Sequence, residues 1–405
     1  MKVLLLVCDG LADRPCKELK GMTPLESAKT PNLNKLATDG ITGIMDVVGT
    51  GIRPGSDVAH LSLFGYEYSK YYPGRGPLEA AGVGIKLKQG DVAFRANFAT
   101  IKDGIITDRR AGRPKTVEPL TKSLNGISID GIKFIVKAGA AHRAAVVMRG
   151  KNLSSAVSDV DPHKTMSKPL KSIAEERSME ARRTAAAINK FVNKAHSILR
   201  IHPFNKERVA RGKNPANYIL LRGAGQVKRI PSFEKMWGFK ACCIAGAALY
   251  KGVAAFVGMD VLEVKGATGD KHTNIKAKLK AALNALSQDY DFAFVHVKAC
   301  DNFGHDGDAK GKKRFIEKID KACSMLKKAD GVLTVVTADH STPCSLKDHS
   351  GDPVPLLMHG EGVRKDSVNQ FGERPCMQGG LHRIKGVELM QEIINVLGKN
   401  ELVGA

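Results

Sequence analysis

The chain reads as an α/β protein, with a parallel-sheet core drawn from both ends of the sequence and interrupted by a smaller inserted α+β domain. Three observations predict this. Apolar runs at residues 3–7, 292–297 and 332–337 have the length and branched content of strands buried on both faces. Helix-like stretches alternate with such runs at the two ends, whereas the middle turns to short β-like runs around one long helical stretch. Charge divides the same way: residues 86–230 hold 30 Lys and Arg against 11 Asp and Glu, a net of +19 out of +22 for the 405 residues.

The first strand runs straight into Asp9. Thr30-Pro31 then opens a helix, with Thr as its cap and Pro at its first position, and Gly40 stops it. Residues 49–55 form a glycine-rich loop, and Ser56 starts a helix whose apolar positions are Val58, Leu61, Leu63 and Phe64. In the middle block, strands are expected at 134–136 and 144–148. A helix is expected over 169–199, with an apolar stripe of Ile173, Ile188, Phe191, Val192, Ala195 and Leu199. A strand at 218–221 precedes a turn at residues 223–225. Past Phe233 the spacing predicts helices at 242–250, 274–286, 310–329 and 387–397, and strands at 292–297, 332–337 and 354–358. The expected domains are 1–84 with 231–405, and an insert of 85–230 acting as a basic substrate-binding lid.

Bulk properties exclude several classes. The opening MKVLLLVCDG has too short an apolar stretch for a secretory leader, and no apolar run approaches the roughly eighteen residues a bilayer span needs, so no membrane partner and a cytoplasmic location are expected. Eight cysteines without a C-x-x-C give neither a zinc knuckle nor a thioredoxin-like motif, and suit small buried hydrophobes in a reducing compartment. A pI near 9.6 raises nucleic acid as a partner. An aromatic content of 5%, with no helix-turn-helix, zinc-finger or RNA-stacking signature, argues against it.

In open α/β sheets ligands gather beyond the carboxyl ends of the strands. Asp9, Asp301 and Asp339 each stand just past an apolar run, and His305, His340 and His349 accompany them. A helical turn would put Asp301 and His305, four apart, on one face. Asp339 and His340 point different ways from a strand end, and His349 sits on a polar loop flanked by Pro343 and Pro353. Singly, an Asp after a strand is commonly a helix cap and a surface His idle. Together they imply divalent metal, and mixed Asp and His donors suit Mn²⁺, with Zn²⁺, Co²⁺ and Mg²⁺ as competitors. Ser56 has two compatible readings: an N-cap, or a nucleophile placed where a helix N-terminus and a cation both favour an alkoxide and an incoming phosphate.

Twelve stretches then point one way: VCDGLADRP, KTPNLNKLA, RPGSDVAHLSLFGY, YYPGRGPLEAAG, ANFATI, DRRAGR, SDVDPH, LLRGAG, VKGATGD, KACDNFGHDGD, TADHSTP and KDHSGDPVP. In order and spacing the chain resembles the archaeal-type cofactor-independent phosphoglycerate mutases of the alkaline phosphatase superfamily. That resemblance implies an alkaline-phosphatase-like core with helices on both faces and a two-metal site. Carried over by motif, Ser56 becomes the phosphorylated nucleophile; Asp9, Ser56, Asp339 and His340 hold one metal, and Asp301, His305 and His349 the other. The implied reaction interconverts 3-phosphoglycerate and 2-phosphoglycerate without 2,3-bisphosphoglycerate. Such a substrate carries about three negative charges near neutrality, which guanidinium groups match bidentately. Arg109, Arg110 and Arg113 are the first candidates to bind it, with Asp108 orienting a glycerate hydroxyl and Arg95 and Arg222 next. Lys298, near Asp301, either contacts the transferring phosphate or packs. Two stretches depart from the pattern: Val160 stands in SDVDPH where threonine is expected, and the pair Asn302-Phe303 is bulkier than usual. The alternatives are a homoserine kinase or another metal-dependent phosphotransferase or phosphatase of the same superfamily.

Overall fold

The structure, a computed structural model, describes residues 1–227 and 229–404. Its strands in chain order begin with β1 (Lys2–Cys8), β2 (Ile41–Asp46), β3 (Val92–Lys102), β4 (Ile105–Asp108), β5 (Ser128–Ile129), β6 (Ile132–Ala138) and β7 (Arg143–Arg149). They continue with β8 (Tyr218–Gln226), β9 (Ala241–Ile244), β10 (Asp260–Val261), β11 (Phe292–Val297), β12 (Val332–Thr337), β13 (Val354–His359) and β14 (Arg383–Lys385). Contacts divide the chain into two units, Met1–Tyr72 with Pro231–Ala405, and Pro73–Ile230.

The first unit is built on a sheet of order β10-β9-β11-β1-β12-β13-β2-β14, with helices on both sides. All neighbours are parallel except β13, which runs against both β12 and β2. β1 lies between β11 and β12, and Val3, Leu4, Leu5, Leu6 and Val7 are wholly buried, as a strand covered on both faces requires.

The second unit is an antiparallel sheet of order β4-β3-β7-β6-β5, with β8 paired to β3. One core cluster joins it to the helix Met179–Ile201, where Phe134 of β6 stacks on Phe191 of the helix at 4.2 Å between ring centroids. Val160 is buried in this cluster, so an apolar residue suits its place.

Several expectations need correction. The long helix starts at Met179, not 169, because Ser178 caps it by accepting from Ala181 N–H. Thr30 makes no cap hydrogen bond; Asp320, from the helix Ala309–Cys323, instead accepts from the backbone N–H groups of Asn32 and Leu33. Cys242 and Cys243 lie in a strand, and the helix follows at Ala248–Phe256. Gly223 and Gly225 do not turn the chain but lie within β8, where Gly223 has a φ of +62° beside a bulge in the β3 pairing. β3, the strand on which this sheet is built, went unpredicted because Arg95 and Asn97 break its apolar run.

Candidate active site

Strand register decides where the chemistry gathers. Cys8 of β1 pairs with Val297 of β11, and Val7 with Thr337 of β12. Three neighbouring strands thus end level and deliver Asp9, Asp301 and the Asp339–His340 pair to one edge of the first unit. The helix Ala299–Asp306 carries Asp301 and His305 together, and His349 comes from the loop between β12 and β13. Ser56 is the first residue of the helix Ser56–Leu63, and Gly55 holds the N-cap position. The N-cap reading of Ser56 therefore falls, and its Oγ lies 3.2 Å from His340 Nε2.

Two donor sets result. Around His340 Nε2 lie Asp9 Oδ1 at 3.5 Å, Asp339 Oδ2 at 3.2 Å and Ser56 Oγ at 3.2 Å. Around Asp301 Oδ1 lie His305 Nε2 at 3.3 Å and His349 Nε2 at 3.4 Å. Ligands about 2.1 Å from a tetrahedral centre sit about 3.4 Å apart, so both sets have the spacing of a cation site. Asp9 Oδ1 and Asp339 Oδ2 are also fully buried without a hydrogen-bond partner, a costly state for a carboxylate oxygen unless a cation neutralises it. The residues present fit divalent metal.

Hydrogen bonds on the far side of each ring set the tautomers. His305 Nδ1 lies 2.9 Å from Lys347 O, and His349 Nδ1 lies 2.9 Å from Pro54 O. A carbonyl only accepts, so each Nδ1 carries a proton and each Nε2 can offer its lone pair to the site. His340 reaches the same state through Thr342, whose hydroxyl gives its single proton to Asp301 Oδ1 (3.0 Å) and must accept from His340 Nδ1 (3.0 Å).

The electrostatics agree with this arrangement. Burial works to raise the Asp9 carboxyl, but the Lys298 ammonium and the His296 and His340 rings hold it well below the usual range. For His340, burial is overcome by the Asp339, Asp9 and Asp301 carboxylates, which push its pKa up; the same field favours a metal cation. Lys298 Nζ bonds Asp9 Oδ2 (3.2 Å), Asp301 Oδ2 (2.8 Å) and Tyr250 OH (3.0 Å). Those partners outweigh its burial and keep it charged.

The sequence reading missed His60, His296, Tyr250 and Thr342. His60 Nδ1 lies 2.6 Å from Ser56 O, and His60, His296 and Asp339 form a further buried group of ligand-type atoms. A histidine within the otherwise apolar run 292–297 was the available signal for His296. Phe303, the bulky departure from the family motif, packs on Phe315.

The second unit holds a cavity of about 370 Å³ lined by Arg95, Asn97, Arg109, Arg110, Arg113, His142, Arg143 and Arg222. Five of these are the arginines expected from the sequence; Asn97, His142 and Arg143 were not foreseen. Arg109 is bidentate to the buried Asp161 at 3.0 and 2.7 Å. The Nε atoms of Arg95 and Arg222 are buried without a hydrogen-bond partner. Burial lowers Arg95 to about 10 and, with four surrounding arginines, His142 to about 4. Guanidinium groups so crowded call for a multiply charged anion. Asp108 does not line this cavity. It accepts from Arg110 N–H (2.7 Å), Gly112 N–H (2.7 Å) and Asn214 Nδ2 (3.0 Å), and so shapes the DRRAGR loop.

Comparison with known proteins decides the family. The model of the Metalloenzyme superfamily matches residues 1–396. A 2,3-bisphosphoglycerate-independent phosphoglycerate mutase of Archaeoglobus fulgidus is 49% identical, with 100% of both chains covered. The chain belongs to the family of 2,3-bisphosphoglycerate-independent phosphoglycerate mutases. Another member of this mutase family, from Methanothermobacter thermautotrophicus, is 46% identical with 100% of both chains covered. Among solved structures, the cofactor-independent phosphoglycerate mutase of Thermoplasma acidophilum is 39% identical with a TM-score of 0.75, covering 98% of this chain and 99% of that one. A protein of Pyrococcus horikoshii is also 39% identical, with a TM-score of 0.86, covering 100% of this chain and 99% of that one. Among the described residues no helix is long and apolar enough to cross a membrane.

Proposed function

We propose that the chain interconverts 3-phosphoglycerate and 2-phosphoglycerate through a phosphoserine at Ser56, without 2,3-bisphosphoglycerate. The observation that carries this reading is the Ser56 hydroxyl at 3.2 Å from His340 Nε2, in a group that includes two buried carboxylate oxygens without a hydrogen-bond partner. Asp9, Ser56, Asp339 and His340 would hold one divalent ion, and Asp301, His305 and His349 the other. Mn²⁺ is the first candidate for such mixed oxygen and imidazole donors, ahead of Zn²⁺, Co²⁺ and Mg²⁺. When bound, the pair of ions would lower the pKa of the serine hydroxyl and neutralise phosphoryl oxygens.

Ser56 Oγ gives up its proton and bonds to phosphorus as the substrate's ester oxygen leaves and takes up a proton. The glycerate then presents its other hydroxyl, which loses its proton as its oxygen bonds to phosphorus, and Ser56 Oγ departs and regains a proton. Lys298 stays cationic beside Asp9 and Asp301 and supplies fixed positive charge for the transferring group. Ser56, at the first turn of its helix, also places the phosphate where helix dipole and backbone N–H groups favour an anion. The arginine-lined cavity of the second unit has the chemistry to take up carboxylate and phosphate groups, with Arg95 and Arg222 offering buried donors. The neutral His142 adds a hydrogen-bonding group there without further charge. Eight cysteines, all buried and unpaired, support a cytoplasmic location for the enzyme.

The test is an enolase-coupled assay with 3-phosphoglycerate and Mn²⁺ and no bisphosphoglycerate. Turnover is expected, and Ser56→Ala should lower it at least a thousandfold while far-UV circular dichroism stays unchanged. Release of free phosphate without 2-phosphoglycerate would replace the mutase reading with a phosphatase. Transfer from ATP to homoserine instead would make the chain a kinase.

A further inference from the structure

Tyr250 sits on the helix Ala248–Phe256 and is 2% exposed. Its ring stacks on His296, with centroids 3.5 Å apart and planes at 21°. Its hydroxyl meets Asp9 Oδ2 on one side and Lys298 Nζ, at 3.0 Å, on the other. An ammonium has only protons to give, so the phenol oxygen accepts from Lys298 and its single proton goes to Asp9. Lys298 also donates to Asp9 Oδ2 at 3.2 Å, so this oxygen has two donors. His296 Nε2 stands 3.2 Å from it as well, but without the alignment of a hydrogen bond. Asp9 Oδ1, by contrast, has no hydrogen-bond partner and faces His340 Nε2 at 3.5 Å.

We propose that Tyr250 is a positioning residue for Asp9: it occupies Oδ2, fixes the rotation of the carboxylate and so keeps Oδ1 free and aimed at the Ser56, Asp339 and His340 donors. The idea rests on the metal-ligand role proposed above for those residues. Stacking on His296 immobilises the ring, so the hydroxyl is delivered at little entropic cost when a cation arrives. Groups that orient a metal ligand from behind are typically worth 10–100-fold in metal affinity. Lys298 alone would leave the carboxylate with one flexible partner. No other described residue donates to Oδ2 with hydrogen-bond geometry.

Tyr250→Phe keeps the stacked ring and removes only the hydroxyl. Titration of the metal-free protein with Mn²⁺, followed by electron paramagnetic resonance, should show two sites in the wild type. The variant is expected to weaken one of them by about 10–100-fold and leave the other unchanged. Raised Mn²⁺ should then restore most of the variant's turnover. Tyr66→Phe, at a buried tyrosine whose hydroxyl bonds Pro231 O at 3.0 Å, is the control and should bind Mn²⁺ like the wild type. Wild-type affinity in Tyr250→Phe, or equal weakening at both sites, overturns the proposal, as does a wild type that binds no Mn²⁺. A wild type that binds two ions without mutase turnover would instead sink the proposed activity, and the two isotherms would still decide the part played by Tyr250.

Discussion

Gly10 follows Asp9 with a φ of +65°, and a Cβ there would stand 2.5 Å from Thr342 Oγ1 and 2.7 Å from Asp301 Cα. Only glycine lets three strand ends crowd this closely. Beneath them Lys312 is wholly buried and bonds Asp13 Oδ2 (2.8 Å), Ala12 O (3.1 Å) and Thr342 O (3.0 Å), tying the loop after β1 to the loop after β12. Asp13 in turn gives its N–H to Glu373 Oε1 at 3.0 Å. Burial outweighs that bond and one from Thr23 and, helped by the Glu26 carboxylate, pushes Glu373 up to about 7 from the usual 4.5. A raised folded-state pKa means stabilisation that is complete below about 4.5 and lost as pH rises through about 7. Relative to Glu373→Gln, the wild type should therefore lose about 3 kcal/mol of stability across that window, as read from denaturant unfolding at each pH. A pH-independent gap between the two proteins would show that the carboxyl ionises normally. At this scale the strand-end acids and histidines were legible because a polar residue that ends an apolar run stands out. Tyr250 and His60 were not, because a tyrosine or histidine inside an apolar helical stretch reads as core until its partner is seen. For Asp108 the motif is visible in sequence, but not that its carboxylate accepts from the backbone of its own loop.

Among the elements, the Met179–Ile201 helix shows how far periodicity reaches. Ile188, Phe191, Val192, Ala195 and Leu199 are all buried, as their spacing predicted, whereas Ile173, placed in the same stripe, is 63% exposed on the segment before the helix. Hydrophobic spacing locates a buried face, but the start of a helix is set by its cap, here Ser178. Phe191 is fully buried and stacks on Phe134, so Phe191→Ala should cost about 3–5 kcal/mol, measured as a lower unfolding midpoint in guanidinium. A loss under about 1 kcal/mol would mean that the sheet collapses onto the vacated space. Strands fared according to their neighbours. β11 and β12 were legible because they are covered on both faces and read as continuous apolar runs. β9 was taken for a helix because four residues running into a real helix carry too little period to separate the two. The reversed direction of β13 left no trace in composition, since parallel and antiparallel neighbours bury the same side chains.

For the molecule as a whole, nearly all the excess charge belongs to the unit that carries the arginine cavity. Charge of one sign raises the local concentration of a small anion and is screened within about 8–10 Å at ordinary ionic strength. KM for the phosphorylated substrate should accordingly rise several-fold from low to high salt with kcat nearly constant; a flat KM would confine recognition to the buried arginines. Composition made this asymmetry legible, and the division of the chain at Tyr72 follows a contact pattern that composition does not record. One consequence concerns synthesis rather than catalysis. Val3 of β1 pairs with Phe292, and Lys2 with Val332, so β1 must wait for about 290 further residues to be made before it gains either neighbour. Meanwhile the stretch from Pro73 to Ile230, being continuous, can close its own sheet. β1 thus stays unpaired while the stretch from Pro73 to Ile230 forms its own contacts, so refolding from denaturant should be slow, as stopped-flow fluorescence would read, and a fast single phase would show that this long-range pairing is not limiting.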